Sequence, residues 1–300
     1  MTKKLSIIII NYNSGLYLKK CLLSIRGSRI NKNKYEVIIV DNNSKDMSIA
    51  QALTVQDINL LLIKNHKNEG FAKANNKGIE KSRAEYILLL NPDTLLNPEI
   101  LDVIIAFMDK NKKVAISTCR VDLPNGQIDD ACHRGFPTPL NALFHFSGLA
   151  DIFPKSTFFN GYHLGYKNMD VIHEIDSCVG AFMMIRRTVG EKIGWLDEDY
   201  FWYGEDIDFC YRVKEKGYKV VYLPHIRIIH FKGIASGIKN HSYNLSTANK
   251  DTKQLATKAR FEVMRIFYEK HYKHKYSSWI TYLVFAAIKL KEYLNLRKYN

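Results

Sequence analysis

Hydrophobic and polar positions follow two rhythms along the first part of the chain. Leu5 to Ile10, Tyr35 to Val40, Leu60 to Ile63, Tyr86 to Leu90 and Val114 to Thr118 are short apolar runs bounded by polar or turn-forming residues. Such runs read as strands buried on both faces, as in the middle of a parallel sheet. Between them the spacing turns helical. Leu18, Cys21, Leu22 and Ile25 share one face of a helix expected to be capped by Ser14 and closed by Gly27. A second helix is expected over Phe71 to Lys81, and a third runs from the cap and first-turn proline of Asn97-Pro98-Glu99 to about Asp109. Four repeats of strand and helix predict a parallel sheet with right-handed crossovers.

From Cys119 to Asp176 the pattern weakens, and residues 140–170 are aromatic-rich and aperiodic, as suits a substrate wall built on a regular half. Periodicity resumes with a strand at Val179 to Ile185, a helix from Glu205-Asp206 closing at Gly217, and strand-like pieces at Val220 to Leu223 and Ile226 to Ile229, the second ending in His230.

The composition, 46% hydrophobic and 25% charged, is that of a globular chain and excludes a disordered or coiled-coil one. Charge changes the picture at one end. Residues 251–300 carry 11 Lys and Arg against 4 Asp and Glu, half of the net +14. Phe261, Met264, Phe267 and Tyr268 share a helical face there, and a more apolar segment from Trp279 to Leu290 is flanked by lysines. Five scattered cysteines without Cys-x-x-Cys spacing indicate reduced thiols in a cytoplasmic setting. The short apolar stretch after Lys3-Lys4 reads as a first strand and not a signal peptide, and no run is long enough to span a bilayer.

Candidate chemistry collects where strands end. Asp93, in Asn91-Pro92-Asp93 after the Tyr86 to Leu90 run, is either a turn carboxylate bonded to its own backbone or a group placed to hold a metal, a sugar hydroxyl or a phosphate-bound cation. Asp41 ends the second run and resembles the acid that contacts a ribose or base in nucleotide folds, but no Gly-x-Gly-x-x-Gly loop accompanies it. Residues 197–208 hold six carboxylates interleaved with Tyr200, Phe201, Trp202 and Tyr203. First-turn acids suit a helix start. Aromatic faces beside carboxylates suit a sugar, and Trp202, Tyr203 and Asp199 are the expected acceptor contacts. His230 alone reads as a packed strand-end histidine or a ligand.

Taken in order, Ser6 to Asn13, Val40 to Ser44, Asn68 to Ile79, Leu90 to Thr94, Gly180 to Arg187, Glu205 to Cys210 and His230 resemble the motifs of family 2 glycosyltransferases, most closely the rhamnosyltransferase-like branch. The resemblance covers residues 4–237. It implies an α/β GT-A (Rossmann-like) fold, a mostly parallel sheet flanked by helices, over residues 1–240; outside it, charge and spacing predict basic amphipathic helices over 241–300. It also implies a dTDP- or UDP-sugar donor, Mg2+ or Mn2+, and inversion at the anomeric carbon. By the same resemblance Asn11 and Asp41 would line the nucleoside pocket, Asn75 and Asn76 would face the donor from its other side with Asn91 beside it, and Asp93 would bind the metal. Only one acid of the usual Asp-x-Asp pair is present, so His230 is the candidate second ligand. Asp206 would be the catalytic base and Glu205 its alternate. The implied activity moves one sugar, with rhamnose the candidate, to a cell-surface polysaccharide or lipid-linked glycan.

Two other functions compete. A sugar-nucleotide nucleotidyltransferase would carry a Gly-rich basic first loop, where this chain has Asn11-Tyr12-Asn13-Ser14, and a non-catalytic carbohydrate- or lipid-binding protein would not need Asp93, Asp206 and His230 together. The basic extension suits either peripheral attachment to the anionic inner face of the cell membrane or a helical hairpin covering the sheet or a second subunit of a homo-oligomer. No groove-reading motif accompanies the charge, which disfavours nucleic acid.

Overall fold

The computed structural model describes residues 3–233 and 250–299. Strand β1 (Leu5–Asn11) is buried along its whole length, between β2 (Tyr35–Asp41) and β4 (Tyr86–Leu90), with β3 (Leu60–Lys64) outside β2. All three pairings are parallel, with Asn11 opposite Asp41. Helices α1 (Leu16–Arg26), the short α2 (Ser48–Ala52) and α3 (Phe71–Lys81) make the crossovers. Burial on both faces explains why these strands read as unbroken apolar runs. The exception, Ser6, is fully buried because its hydroxyl donates to Glu36 at 2.6 Å.

Beyond β4 the sheet becomes mixed. After β5 (Thr94–Leu96) and α4 (Ile100–Lys110), β6 (Val114–Asp122) does not pair with β4. Helices α5 (Pro139–Ser147) and α6 (Leu149–Ile152) and strand β7 (His173–Ile175) follow, and then β8 (Phe182–Arg186) inserts between β4 and β6, antiparallel to both. Next come α7 (Arg187–Ile193), α8 (Glu205–Glu215) and β9 (Lys219–His230). β9 joins the two pieces expected separately. It runs parallel to β6 with a register shift where Pro224 interrupts it, and its end pairs antiparallel with β5, setting His230 opposite Thr94.

Two helix starts differ from expectation. Gly15, not Ser14, precedes α1, and the Ser14 hydroxyl donates instead to the Asn11 side-chain oxygen. α4 begins at Ile100 behind Glu99, with Asn97 contributing its carbonyl to the Ile100 amide.

The C-terminal helices α9 (Lys250–His271) and α10 (Ser278–Leu296) form a hairpin tied by Arg265 to Glu292 at 3.2 Å and by Tyr268 to Thr281 at 3.0 Å. α9 docks on α8: Phe267, Tyr268 and Tyr272 share a buried cluster with Tyr200 and Tyr211, and His271 Nε2 lies 2.7 Å from Asp208. The boundary expected at residue 240 lies outside the described residues.

Candidate active site

One cleft of about 1550 Å³ runs over the carboxyl ends of β1, β2 and β4 to the start of α8. Its two sides are joined where Gly70 precedes α3. The Phe71 amide donates to the Phe201 carbonyl at 2.7 Å, and Gly70, at φ 86°, lies so close that a Cβ would stand 2.6 Å from that same oxygen. Only glycine accepts both the left-handed backbone and the contact.

At the first side, Asp93 follows β4 and His230 ends β9, so the β5–β9 pairing brings together residues far apart in the chain. His230 Nε2 is 3.2 Å from Asp93 Oδ1 and 3.2 Å from Asn91 Nδ2. Its Nδ1 stands 3.7 Å from Asp129, an ion-pair distance longer than a hydrogen bond. Burial alone would lower the His230 pKa, but Asp93 and Asp129 outweigh it and raise the value to about 9, which favours the protonated ring while no cation is present; a cation taken up at Nε2 would have to displace that proton. Asp129 caps the turn Asp130–Cys132 by accepting from the Ala131 amide at 2.9 Å and takes a further bond from Lys232. Despite burial, His230 and Lys232 hold its carboxyl far below the usual range.

This set fits a divalent cation in part. A carboxylate and an imidazole nitrogen converge at the cleft wall, and Asp129 behind the ring is the kind of partner that orients a ligating histidine. Among the described residues no group of three or more His, Cys, Asp or Glu side chains could hold a metal ion by itself. A cation here would therefore complete its shell with oxygens of a bound diphosphate and water.

At the other side, α8 begins behind Gly204 with Glu205 and Asp206 both buried. Asp206 accepts from the Ile207 amide at 2.8 Å, the Gly180 amide at 3.3 Å and Arg134 Nη2 at 3.1 Å, so its negative charge is compensated on three sides. Glu205 differs. Its Oε2 is buried with no hydrogen-bond partner, and burial first, then the Asp206 charge, push its carboxyl well above the usual range. The adjacent carboxylates thus sit in different environments: burial raises the Glu205 pKa, whereas Asp206 is bonded by Arg134 and two amides.

Asn91, Asp93, Trp202, Tyr203, Glu205, Asp206 and His230 all line this cleft. Asn11 and Asp41 are buried behind it, Asn11 donating to Asp41 at 2.9 Å, while the half-buried Tyr12 and the buried Asn42 line the cleft itself. Three expected contacts are displaced. Asn75 is fully buried and bonds the Phe71 carbonyl. Asn76 bonds Leu196 and Glu198, because only the first turn of α3 reaches the cleft and the rest runs away along the sheet. Asp199 pairs with Lys270 of α9 at 2.6 Å and lies outside the cleft lining, its charge drawn outward by the docked helix.

Sequence reasoning missed Asp129, Arg134 and Lys232. Their partners lie some seventy to a hundred residues away in the chain, in a stretch without periodicity, so spacing carries no signal.

Comparison with known proteins gives the family and the fold. Residues 6–187 match the family described as "Glycosyl transferase family 2", and residues 160–235 match "N-terminal domain of galactosyltransferase". The low-salt glycan biosynthesis hexosyltransferase Agl10 of Haloferax volcanii is 30% identical over 234 residues, covering 77% of this chain and 68% of that protein. The N-acetylglucosaminyl-diphospho-decaprenol L-rhamnosyltransferase of Mycobacterium tuberculosis is 23% identical, covering 84% of this chain and 83% of that protein. Among solved structures, the mannosyltransferase PcManGT from Pyrobaculum calidifontis, in complex with GDP-Man and Mn2+, covers all of this chain and 73% of its own at a TM-score of 0.60 and 15% identity. That likeness extends to the GT-A fold.

Proposed function

This chain belongs to glycosyl transferase family 2, in its rhamnosyltransferase-like branch, and on that premise we propose that it transfers one sugar from a nucleotide-sugar donor to a glycan or lipid-linked acceptor by a single inverting displacement. The observation that carries the reading is the opposition, within one cleft, of Asp93 and His230 to Glu205 and Asp206. The donor's diphosphate would lie at the first pair, with the nucleoside over Tyr12 and Asn42. The acceptor would approach from the second, across Trp202 and Tyr203, whose stacked rings offer a face to a sugar.

An acceptor hydroxyl is a poor nucleophile until a base removes its proton. Asp206 is suited to that role, because Arg134 and two amides hold it as a carboxylate in fixed orientation. Glu205 beside it, its carboxyl pushed well above the usual range by burial, is the poorer candidate for the base and would instead offer a hydrogen bond to the acceptor when protonated. When bound, Mg2+ or Mn2+ would supply positive charge where the leaving diphosphate becomes more negative. Asp93 and His230 are the residues that would hold it, and Asp129 keeps the imidazole in place. Rhamnose is the transferred group suggested by the name of the similar rhamnosyltransferase, and a dTDP- or UDP-sugar is the donor form expected from the family resemblance.

Hydrolysis of a panel of nucleotide sugars, with and without Mn2+, tests this reading. Metal-stimulated release of the diphosphate from one dTDP- or UDP-sugar is expected. Absence of turnover with every nucleotide sugar, in both conditions and with glycan acceptors present, would contradict it.

A further inference from the structure

Outside the cleft, two histidines meet at one edge of the sheet. His133 directly follows the turn Asp130–Cys132, and His173 opens β7, the outermost strand beside β9. Neither lines the cleft. They are 40 residues apart in the chain, yet their Nε2 atoms stand 2.5 Å from one another. Tyr222, opposite His173 in the β7–β9 register, packs edge-on against His133 and tilted against His173, with ring centroids 5.4 and 5.3 Å away.

The hydrogen bonds around the pair leave the two facing atoms without a proton. His173 Nδ1 lies 2.8 Å from the Val171 carbonyl, which can only accept, so Nδ1 holds the proton of the neutral ring and Nε2 keeps a lone pair. The His133 ring donates to the backbone carbonyls of His163 and of His133 itself. Its own carbonyl is within reach of Nδ1 and not of the more distant Nε2, so the same tautomer results. A further proton between the rings is disfavoured, because burial above all lowers both pKa values. Two lone pairs therefore point at one another, and a ring could relieve the repulsion only by giving up a carbonyl. Metal-bound imidazoles have this arrangement, with one nitrogen on the metal and the other N–H on a backbone carbonyl.

We propose that His133 and His173 bind a divalent transition ion through their Nε2 atoms, and that the ion fastens the turn bearing Asp129 and Arg134 to the edge of the sheet. Among the described residues no third His, Cys, Asp or Glu joins them, so water completes the shell. The ligand class follows from the donors. Two neutral imidazoles suit Zn2+, Ni2+ or Cu2+, whereas Mg2+ and Ca2+ favour oxygen. Lys167, its ammonium on the Glu174 carbonyl, adds a positive charge that both rings feel and so penalises a hard ion held by charge alone. Metal–nitrogen bonds of about 2.0–2.1 Å require the two nitrogens to part to roughly 3 Å. His173, half-buried on a short edge strand, can supply that movement.

The position of the ion connects it to both sides of the cleft. Next to His133, the Arg134 amide donates to the Ser177 carbonyl at 3.0 Å and the Ser177 amide to the Arg134 carbonyl at 2.9 Å. The Arg134 guanidinium reaches Asp206, and Asp129 stands behind His230. A clamp at His133 thus steadies the segment that supports the two carboxylate groups from behind. The site does not depend on the glycosyltransferase reading, since neither ligand lines the cleft.

Calorimetry and thermal melts of the full chain with Zn2+, beside an EDTA-treated control, test the proposal. Asp93→Ala serves as the background, because it removes the carboxylate of the other candidate metal position and leaves this one whole. In that protein Zn2+ should bind at about one equivalent and raise the melting temperature by about 2 °C or more, and Mg2+ should do neither. Adding His173→Gln should weaken Zn2+ binding about tenfold or more and remove the rise, while the EDTA-treated melt changes little. If that variant does not fold, electron paramagnetic resonance of Cu2+ on the Asp93→Ala protein decides without it, because two nitrogens should couple to the copper. Absence of Zn2+ binding, binding and melts unaffected by His173→Gln, or copper coupled to fewer than two nitrogens overturns the proposal.

Discussion

Asp206 and Glu205 show how one peptide bond separates two carboxyl chemistries. Removing the proton acceptor while keeping the shape, Asp206→Asn, should leave donor binding in place and lower turnover by about two to four orders of magnitude. Glu205→Gln keeps a hydrogen-bond donor and should be milder. Steady-state transfer beside nucleoside diphosphate titration separates these outcomes, and a dead Glu205→Gln with an active Asp206→Asn would reverse the roles. The pair was singled out through the family resemblance of Glu205 to Cys210, since acids at a helix start by themselves suit any first turn. The difference between them was not legible, since it depends on Arg134 and on the Gly180 amide, which the fold delivers from other elements. Asn75 and Asn76 illustrate the opposite limit. Their place on α3 was evident from spacing, but the direction in which that helix leaves the cleft depends on its packing against β1 and β2.

Among the elements, the parallel half could be read strand by strand because burial on both faces forces continuous apolar runs. The order in the second half could not, because Phe182 to Arg186 has the same unbroken apolar character whichever way it runs, and its antiparallel insertion beside β4 leaves no mark in composition. α5 and α6 were hidden by aromatics on several faces, which erase helical periodicity. One pairing across the late elements has a consequence for pH. His133, before α5, and His173, on β7, meet with their Nε2 atoms 2.5 Å apart, and His173 Nδ1 bonds the Val171 carbonyl. Burial first, then the neighbouring ring, lowers the His133 pKa from 6.5 to about 4. The unfolded chain therefore takes up this proton first as pH falls. Stability from this site is complete above pH 6.5, declines as pH drops through that value, and has lost about 3 kcal/mol by pH 4. Urea midpoints across this range should fall for the unmodified protein and fall less for His133→Phe at the same pH values.

At the scale of the whole molecule, the C-terminal hairpin is joined to the catalytic half through α9, while α10 turns an apolar, lysine-flanked surface outward. Tyr282 and Tyr293 are 73% and 60% exposed, and Lys289, Arg297 and Lys298 lie near them. Among the described residues no helix is long and apolar enough to cross a membrane. Peripheral attachment to anionic lipid is the expectation that this surface supports. Sedimentation with anionic vesicles should decline as salt rises and should drop in the triple substitution of Lys289, Arg297 and Lys298 by Gln. Pelleting unaffected by either change would return the hairpin to a purely internal role. Cutting the chain at residue 250 would not serve as the test, because it also removes Phe267, Tyr268 and Tyr272 from the cluster around Tyr200. That dependence was not legible beforehand, since the extension reads as a self-contained amphipathic pair until α8 is seen beneath it.

The central claim is that Asp93 and His230 join a divalent cation to the donor's diphosphate, and calorimetry of Asp93→Ala measures it most directly. Wild-type protein and variant would be titrated with UDP, dTDP and GDP, each with and without Mn2+. For the nucleotide it prefers, the wild type should bind about tenfold or more tighter when Mn2+ is present, and Asp93→Ala should lose that enhancement while keeping its weaker, metal-free binding. A variant that binds the same nucleotide with unchanged affinity and unchanged Mn2+ dependence would contradict the claim.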